Sequence, residues 1–97
     1  MRAYRLTVAD QARREVSQAR TWLTQSGSGV RGRARYAALV RAIQDLRTAP
    51  TRWPTGDIDG VRERSIEGHR ILYRVDETAR HVTVLRVFGP FQDRSRP

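Results

Sequence analysis

Side chains that could bind or cleave a phosphodiester are densest between positions 62 and 74. Four arginines, one histidine and one tyrosine share this segment, namely Arg62, Arg64, His69, Arg70, Tyr73 and Arg74. Two adjacent antiparallel strands would place the arginines within reach of one another, and same-sign neighbours there are unfavourable unless an anion joins them. The cluster could then stabilise the charge that develops as a phosphodiester is cleaved. The alternative is that Glu63 and Glu67 pair with these arginines across the strands and that Tyr73 belongs to the core.

A second group of cations, Arg31, Arg33 and Arg35, falls in the first turn or two of a predicted helix. Cations there face the positive end of the helix dipole, at a cost of about 0.3–1 kcal/mol each at low salt. The free N–H groups and the guanidiniums together suit an anion. We therefore predict that acidic residues of a protein partner, or nucleic-acid phosphates, dock here. The alternative is a solvated basic turn. Trp53, in a loop next to a proline, is a candidate exposed contact, unless its ring folds back on the core.

The overall charge also points to an anionic partner. The 97 residues include 19 arginines and 10 acidic residues, a formal net charge of +9, and most of the basic excess lies in residues 1–48. An excess this large on a small domain is typical of proteins that bind nucleic acid or an acidic protein.

Other features of the composition exclude several classes of site. The absence of cysteine excludes disulfides and thiol catalysis, and two histidines are too few for a histidine-rich metal site, so we expect no metal and no cofactor. No apolar run approaches the ~20 residues of a membrane span, and the N-terminus does not resemble a signal peptide. We therefore expect a cytoplasmic protein without membrane contact. A chain this short encloses one core, which predicts a single domain over residues 1–97, with an ordered core over 1–88 and a mobile tail over 89–97.

The elements that must position these residues follow from hydrophobic periodicity. Residues 3–7 alternate as a strand, and Thr7 with Asp10 predicts a capping box for the first helix. The apolar stripe of this helix consists of Val8, Ala12, Val16, Ala19 and Leu23. A second helix is predicted from about residue 30 to 49, where Pro50 stops it. Its apolar stripe consists of Tyr36, Leu39, Val40, Ile43 and Leu46. Strands follow at residues 61–67, 70–75 and 81–88, the last two joined as a hairpin. The pattern predicts an α+β fold: an N-terminal strand, an antiparallel helical hairpin and a three-stranded antiparallel meander, forming one small sheet with the helices on one face.

The segment GHRILYRV at residues 68–75 resembles the G-x-R-h-h-Y-x-v strand of the RelE/ParE toxin superfamily of bacterial type II toxin–antitoxin modules. The order of four further features is similar to that family: YRLT at residues 4–7, a first helix with Trp22, L-x-x-x-P at residues 46–50, and VLRV at residues 84–87. The resemblance covers residues 4–88. It implies a toxin without a cofactor, neutralised by a cognate antitoxin, ParD-like or other, in a hetero-oligomer with an antitoxin dimer.

The two branches of this superfamily act differently, since RelE-like members cut mRNA on the ribosome and ParE-like members poison DNA gyrase. Arg70 matches an arginine of the ribonucleases, and Arg62 and Arg64 could stand in for two basic residues one strand earlier. RelE-type enzymes also carry a basic G-K-R and a later tyrosine after the last strand, where this chain reads VFGPFQD.

Proton transfer in an RNase of this type would therefore depend on His69, because Tyr73 alternates with apolar residues and should face the core. These departures favour a ParE-like gyrase poison, without catalytic residues. One alternative is a RelE-like ribosome-dependent mRNA endonuclease that uses Arg70, His69, Arg62 and Arg64. Another is a non-toxic, small basic nucleic-acid-binding domain.

Overall fold

A computed structural model describes residues 3–90 of the chain. Its elements are β1 (Arg5–Val8), α1 (Asp10–Leu23), α2 (Gly29–Asp45), a short 3-10 helix (Pro50–Arg52), β2 (Arg62–Ile66), β3 (His69–Asp76) and β4 (His81–Phe88). Their order and type confirm the predicted α+β fold. Gly89 and Pro90 are described, but the rest of the predicted tail, residues 91–97, lies outside the described residues.

The four strands form one mixed sheet in the order β1-β4-β3-β2. The last three strands pair antiparallel, as expected for a meander. The N-terminal strand joins the sheet as predicted, but it runs parallel to β4, with Leu6 opposite Val82 and Val8 opposite Val84. Parallel neighbours need a long crossover connection, and β1 and β4 are separated in sequence by both helices and two strands.

The core lies between the two helices and one face of the sheet. Most of the predicted apolar stripe residues are buried there. The core cluster includes Ala12, Ala19, Leu39, Ala42 and Ile43 of the helices and Leu46, which directly follows α2. They meet Ile71, Tyr73, Val82, Val84 and Val87 of the sheet. Val8 contributes from β1 rather than from α1, because the helix begins two residues later.

Both helix boundaries differ from the sequence prediction. The predicted capping box is wrong: Ala9 is the N-cap of α1, without a side-chain cap, and Thr7 lies in β1, where its Oγ1 is 2.7 Å from Nε2 of His81. Helix α2 ends at Asp45 instead of near residue 49. The next residues form a turn with i to i+3 backbone bonds, among them Thr48 N–H to the Asp45 carbonyl, and Pro50 starts the 3-10 helix rather than ending α2.

A buried carboxylate, Glu15 of α1, completes the edge of the sheet that β1 leaves open. Strand β1 pairs only with residues 81–84 of β4, so the second half of β4 has no strand on that side. There Glu15 Oε1 accepts a 2.7 Å hydrogen bond from the Val87 N–H, and Oε2 accepts from Nε and Nη2 of Arg86 at 3.0 and 2.6 Å. Glu15 thus satisfies a backbone donor that would otherwise be buried without a partner.

Candidate functional site

The register of β2 and β3 separates the arginines that the sequence suggested as one cluster. Arg62 lies opposite Tyr73 and Arg64 opposite Ile71, whereas Arg70 lies opposite Ser65. Because successive residues of a strand point to opposite faces, Arg62 and Arg64 share the face that carries the core, and Arg70 lies on the open face. The expectation that these arginines gather around one phosphate is therefore wrong in this respect.

Arg62 and Arg64 hold the Trp53 loop against the core side of the sheet. Nη1 of Arg62 donates to the carbonyls of Trp53 at 2.6 Å and Thr51 at 3.3 Å. Nη1 of Arg64 donates to the Ala42 carbonyl at 2.9 Å, and its guanidinium carbon lies 4.1 Å from the centroid of the Trp53 ring. Burial is the main cause that lowers the pKa of Arg64. These hydrogen bonds to carbonyls and the stacking on the ring face give both arginines a role in positioning the loop.

Trp53 itself is half-buried and packs against the core cluster. Its ring also lies near a second cation, with the guanidinium carbon of Arg52 5.5 Å from the ring centroid. Stacked cations of this kind stabilise an aromatic ring in place. The structure favours a tryptophan that folds back on the core over a fully exposed contact.

The two side chains that could transfer protons are both buried. His69 begins β3, just after a turn in which Glu67 and Gly68 have φ angles of 50° and 80°, as in the tight hairpin turns that join twisted strands. The imidazole is fully buried, with Nδ1 3.1 Å from the Glu67 carbonyl. Burial is the largest cause that lowers the pKa of His69, and it outweighs the opposing effect of the hydrogen bond to the Glu67 carbonyl. His69 is therefore a neutral side chain inside the protein.

Tyr73 lies in the centre of the core, as its alternation with Ile71 and Val75 predicts. It is fully buried, and its hydroxyl donates to the Pro50 carbonyl at 2.5 Å. Burial raises the pKa of Tyr73 to about 12. The phenol thus anchors the segment that follows α2 and does not reach a substrate at the surface.

Two of the arginines on the open face of the sheet, Arg70 and Arg86, are each held by a carboxylate. Arg70 Nε donates to Glu63 Oε2 at 2.9 Å, and Nη2 donates to Oε1 of the same carboxylate. Arg86 is held by Glu15, and its guanidinium carbon lies 4.6 Å from the centroid of the Phe88 ring. Phe88 lies opposite Arg70 across the ladder. The hydrogen bonds that Arg70 donates to Glu63 and that Arg86 donates to Glu15 raise the pKa values of the two arginines.

This face presents two fixed guanidiniums beside an aromatic ring, a surface suited to an anionic partner. The sequence reading singled out Arg70 but missed Arg86. Position 86 stands within the VLRV run, but its partner Glu15 lies 71 residues away, so periodicity could not reveal the pair.

The three arginines at the start of α2 lie on the helical hairpin, and one of them, Arg35, contacts the turn between β2 and β3. Arg35 Nη2 donates to the Glu67 carbonyl at 3.0 Å, and its Nε lies 4.0 Å from the Glu67 carboxylate. Within residues 3–90, Arg31 and Arg33 form no ion pair. The first turn of α2 has no acidic residue, and its N-cap Ser28 makes no side-chain cap. The structure thus leaves Arg31 and Arg33 in the exposed position that the sequence suggested.

Two further kinds of site are absent from the part of the chain that the structure describes. No group of three or more His, Asp or Glu side chains over residues 3–90 is arranged to hold a metal ion. Neither described helix is long and apolar enough to cross a membrane.

The whole domain matches one family model, that of the ParE toxin of the type II toxin–antitoxin system parDE, over residues 6–89. This match covers most of the chain. The chain belongs to the ParE toxin family. The resemblance to the RelE/ParE superfamily is thereby confirmed, and with it the role of a type II toxin at the level of the superfamily.

Solved structures similar to this ParE-family chain come from both branches of the superfamily. The chromosomal ParDE system of P. aeruginosa is 13% identical, with a TM-score of 0.73 over 89% of this chain and 95% of that one. The RelBE2 toxin–antitoxin complex of Mycobacterium tuberculosis is 23% identical, with a TM-score of 0.68 over 90% and 98%. The archaeal RelE–RelB complex of Pyrococcus horikoshii is 15% identical, with a TM-score of 0.61 over 93% and 98%. At these identities the likeness shows a shared fold. No curated protein matches the chain by sequence.

Proposed function

We propose that this ParE-family chain is a gyrase poison that acts by binding and does not cleave RNA. The burial of both His69 and Tyr73 carries the proposal. RNA cleavage needs one group that activates the ribose 2′-OH and another that protonates the leaving oxygen. These two side chains were the candidates that the segment 62–74 offered, and neither is exposed at the surface. A toxin that binds its target needs no such groups.

The positions of the arginines support the same proposal. Arg70 alone of the four candidate catalytic residues has its guanidinium on the open face, because Arg62 and Arg64 bind backbone carbonyls on the core side. A single guanidinium can stabilise a phosphorane but cannot supply proton transfer.

We also propose that an antitoxin neutralises the toxin. The ParDE and RelBE2 structures to which the chain is similar come from toxin–antitoxin systems, and a net charge of +9 suits a partner with an acidic segment. The antitoxin would be ParD-like, and an antitoxin dimer would form a hetero-oligomer with the toxin. The proposed gyrase target implies a cytoplasmic location.

Two assays on the purified chain separate this function from its alternatives. The first incubates the chain with gyrase, ATP and supercoiled plasmid, then denatures the protein and measures linear DNA. The second incubates it with translating ribosomes and maps mRNA ends by primer extension. A gyrase poison gives linear DNA and intact mRNA. Cut mRNA with intact plasmid would refute the proposal in favour of the endonuclease, and no effect in either assay would favour the non-toxic nucleic-acid-binding domain.

A pair of variants tests whether proton transfer has a part in toxicity. His69→Gln removes the titratable group while filling more of its space than alanine, which would leave a buried cavity. We expect His69→Gln to retain toxicity when its expression level matches that of the parent. The comparison variant, Arg70→Gln, would lower the rate of an endonuclease by about 10²–10³ through loss of charge stabilisation. Loss of toxicity in a folded His69→Gln variant would contradict the proposal.

A further inference from the structure

A small cleft opens at the end of the helical hairpin, between the last turn of α1 and the first turns of α2. It has a volume of about 200 Å³, and its lining includes Trp22, Leu23, Arg31, Gly32 and Arg35. The two helix backbones meet at its base, where a Cβ on Gly32 would lie only 2.0 Å from the Leu23 carbonyl oxygen. The floor of the cleft is therefore fixed by direct backbone contact.

Apolar surface is exposed around this cleft. Trp22 is 40% and Val30 74% exposed, and they are two of the three large apolar side chains exposed within residues 3–90. The other, Ile58, lies in the long loop before β2. Of these, Trp22 lines the cleft, so a partner side chain in the cleft can contact exposed apolar surface.

The helical hairpin that carries the cleft is strongly basic. No acidic residue occurs between Glu15 and Asp45, whereas this stretch contains five arginines, Arg20, Arg31, Arg33, Arg35 and Arg41. Only Arg35 of these forms an ion pair in the described part of the chain, with Glu67 at 4.0 Å. The positive field at this end of the molecule is thus left without compensation, next to apolar surface.

We propose that this cleft binds an acidic segment of a partner protein, with an apolar side chain of that segment against Trp22 and its carboxylates at Arg31 and Arg35, the two arginines that line the cleft. Charge complementarity selects an acidic occupant. The small volume of the cleft suits one side chain, and the covered part of Trp22 leaves less than a whole ring on which a nucleobase could stack. The inference depends on the proposed function only in that the antitoxin would supply this segment.

The test uses the full chain with Trp53→Phe, so that fluorescence reports Trp22. The probe is a blocked peptide of glutamates around one leucine, and its matched control has glutamines instead. We expect the glutamate peptide to shift the emission and to bind more weakly as salt rises. Replacing both Arg31 and Arg35 by Gln should weaken binding by about fivefold to tenfold and reduce the salt dependence. The charge-matched control replaces the exposed Arg13 and Arg14 of α1 by Gln and should change binding by less than about twofold.

Three outcomes would overturn the inference. Equal losses for the two double variants would indicate general attraction by a basic protein. Unchanged binding of the peptide to Trp22→Ala, measured by calorimetry because this variant lacks the fluorescent reporter, would place the peptide elsewhere. Displacement of the peptide by a single-stranded oligonucleotide at a lower concentration than the peptide itself would indicate a nucleic-acid site. The gyrase assay on the same samples separates the two proposals. Linear DNA without peptide binding refutes only the proposal for the cleft, and peptide binding without linear DNA refutes only the proposal that gyrase is the target.

Discussion

Removal of the Glu15 carboxylate should destabilise the fold more than any exposed charge change. In Glu15→Ala the Val87 N–H loses its acceptor while buried, which costs about 1–3 kcal/mol. The side chain of Arg86 is 41% exposed, so water can solvate its guanidinium and the lost ion pair adds only about 0–1 kcal/mol. The loss of one buried methylene lowers the free energy of unfolding by about a further 1 kcal/mol. We expect a total loss of about 3 kcal/mol in the free energy of unfolding, with Val87 N–H as the largest contributor.

Thermal unfolding followed by circular dichroism measures this loss. For a chain of this size, about 3 kcal/mol corresponds to a decrease in Tm of roughly 10–20 °C. Glu15→Gln keeps an oxygen that can accept from Val87 and should lose about 1 kcal/mol. Asp59→Ala removes the same charge from an exposed turn and should leave the Tm nearly unchanged. If Glu15→Ala and Asp59→Ala have the same Tm, the Glu15 carboxylate does not complete the sheet edge and the reasoning fails.

Three other predictions concern the core. Ile43→Asp buries an unpaired charge between α2 and the sheet and should lower the free energy of unfolding by several kcal/mol, whereas Gln44→Asp, its exposed neighbour, should not; equal urea midpoints would show that the helix face is wrongly assigned. Since the pKa of Tyr73 is raised to about 12 in the folded chain, stability should fall as the pH rises from about 10 toward 12, and Tyr73→Phe should weaken this decline in an alkaline series of urea titrations. Since the pKa of His69 is lowered by burial, the unfolded chain binds the proton more tightly, so stability should fall as the pH drops below about 6.5; an identical acid profile for His69→Gln would contradict this assignment.

Local periodicity predicted most of the fold because each element has one apolar side. The alternation of Ile71, Tyr73 and Val75 predicts a strand with one buried face, and Tyr73 is indeed fully buried. The spacing of Leu39, Ile43 and Leu46 similarly predicted the core face of α2, although Leu46 lies just beyond the last helical residue, where it is fully buried. These patterns depend only on neighbours in sequence.

Features that depend on distant residues were not predictable in the same way. The parallel direction of β1 depends on which strand edge the helices leave accessible, and the role of Glu15 depends on β1 ending at Val8. The capping prediction failed because Thr7 continued the strand, where its hydroxyl meets His81. The separation of Arg64 from Arg70 depends on the length of the turn between β2 and β3. With two residues in that turn, Glu67 and Gly68, Arg70 lies opposite Ser65, so Arg64 and Arg70 are on opposite faces of the sheet.

The arginines of this chain differ in what remains of their charge for a partner. Arg62 and Arg64 donate to carbonyls on the core side, and the carboxylates of Glu63 and Glu15 hold Arg70 and Arg86 on the open face. A guanidinium already paired with a carboxylate adds little net field at a distance, because the two charges cancel beyond a Debye length of about 8–10 Å. The uncompensated field therefore arises mainly where acidic residues are missing, along the hairpin between Glu15 and Asp45. An acidic partner should be attracted first to this hairpin, while the sheet face contributes directed hydrogen bonds only after contact is made.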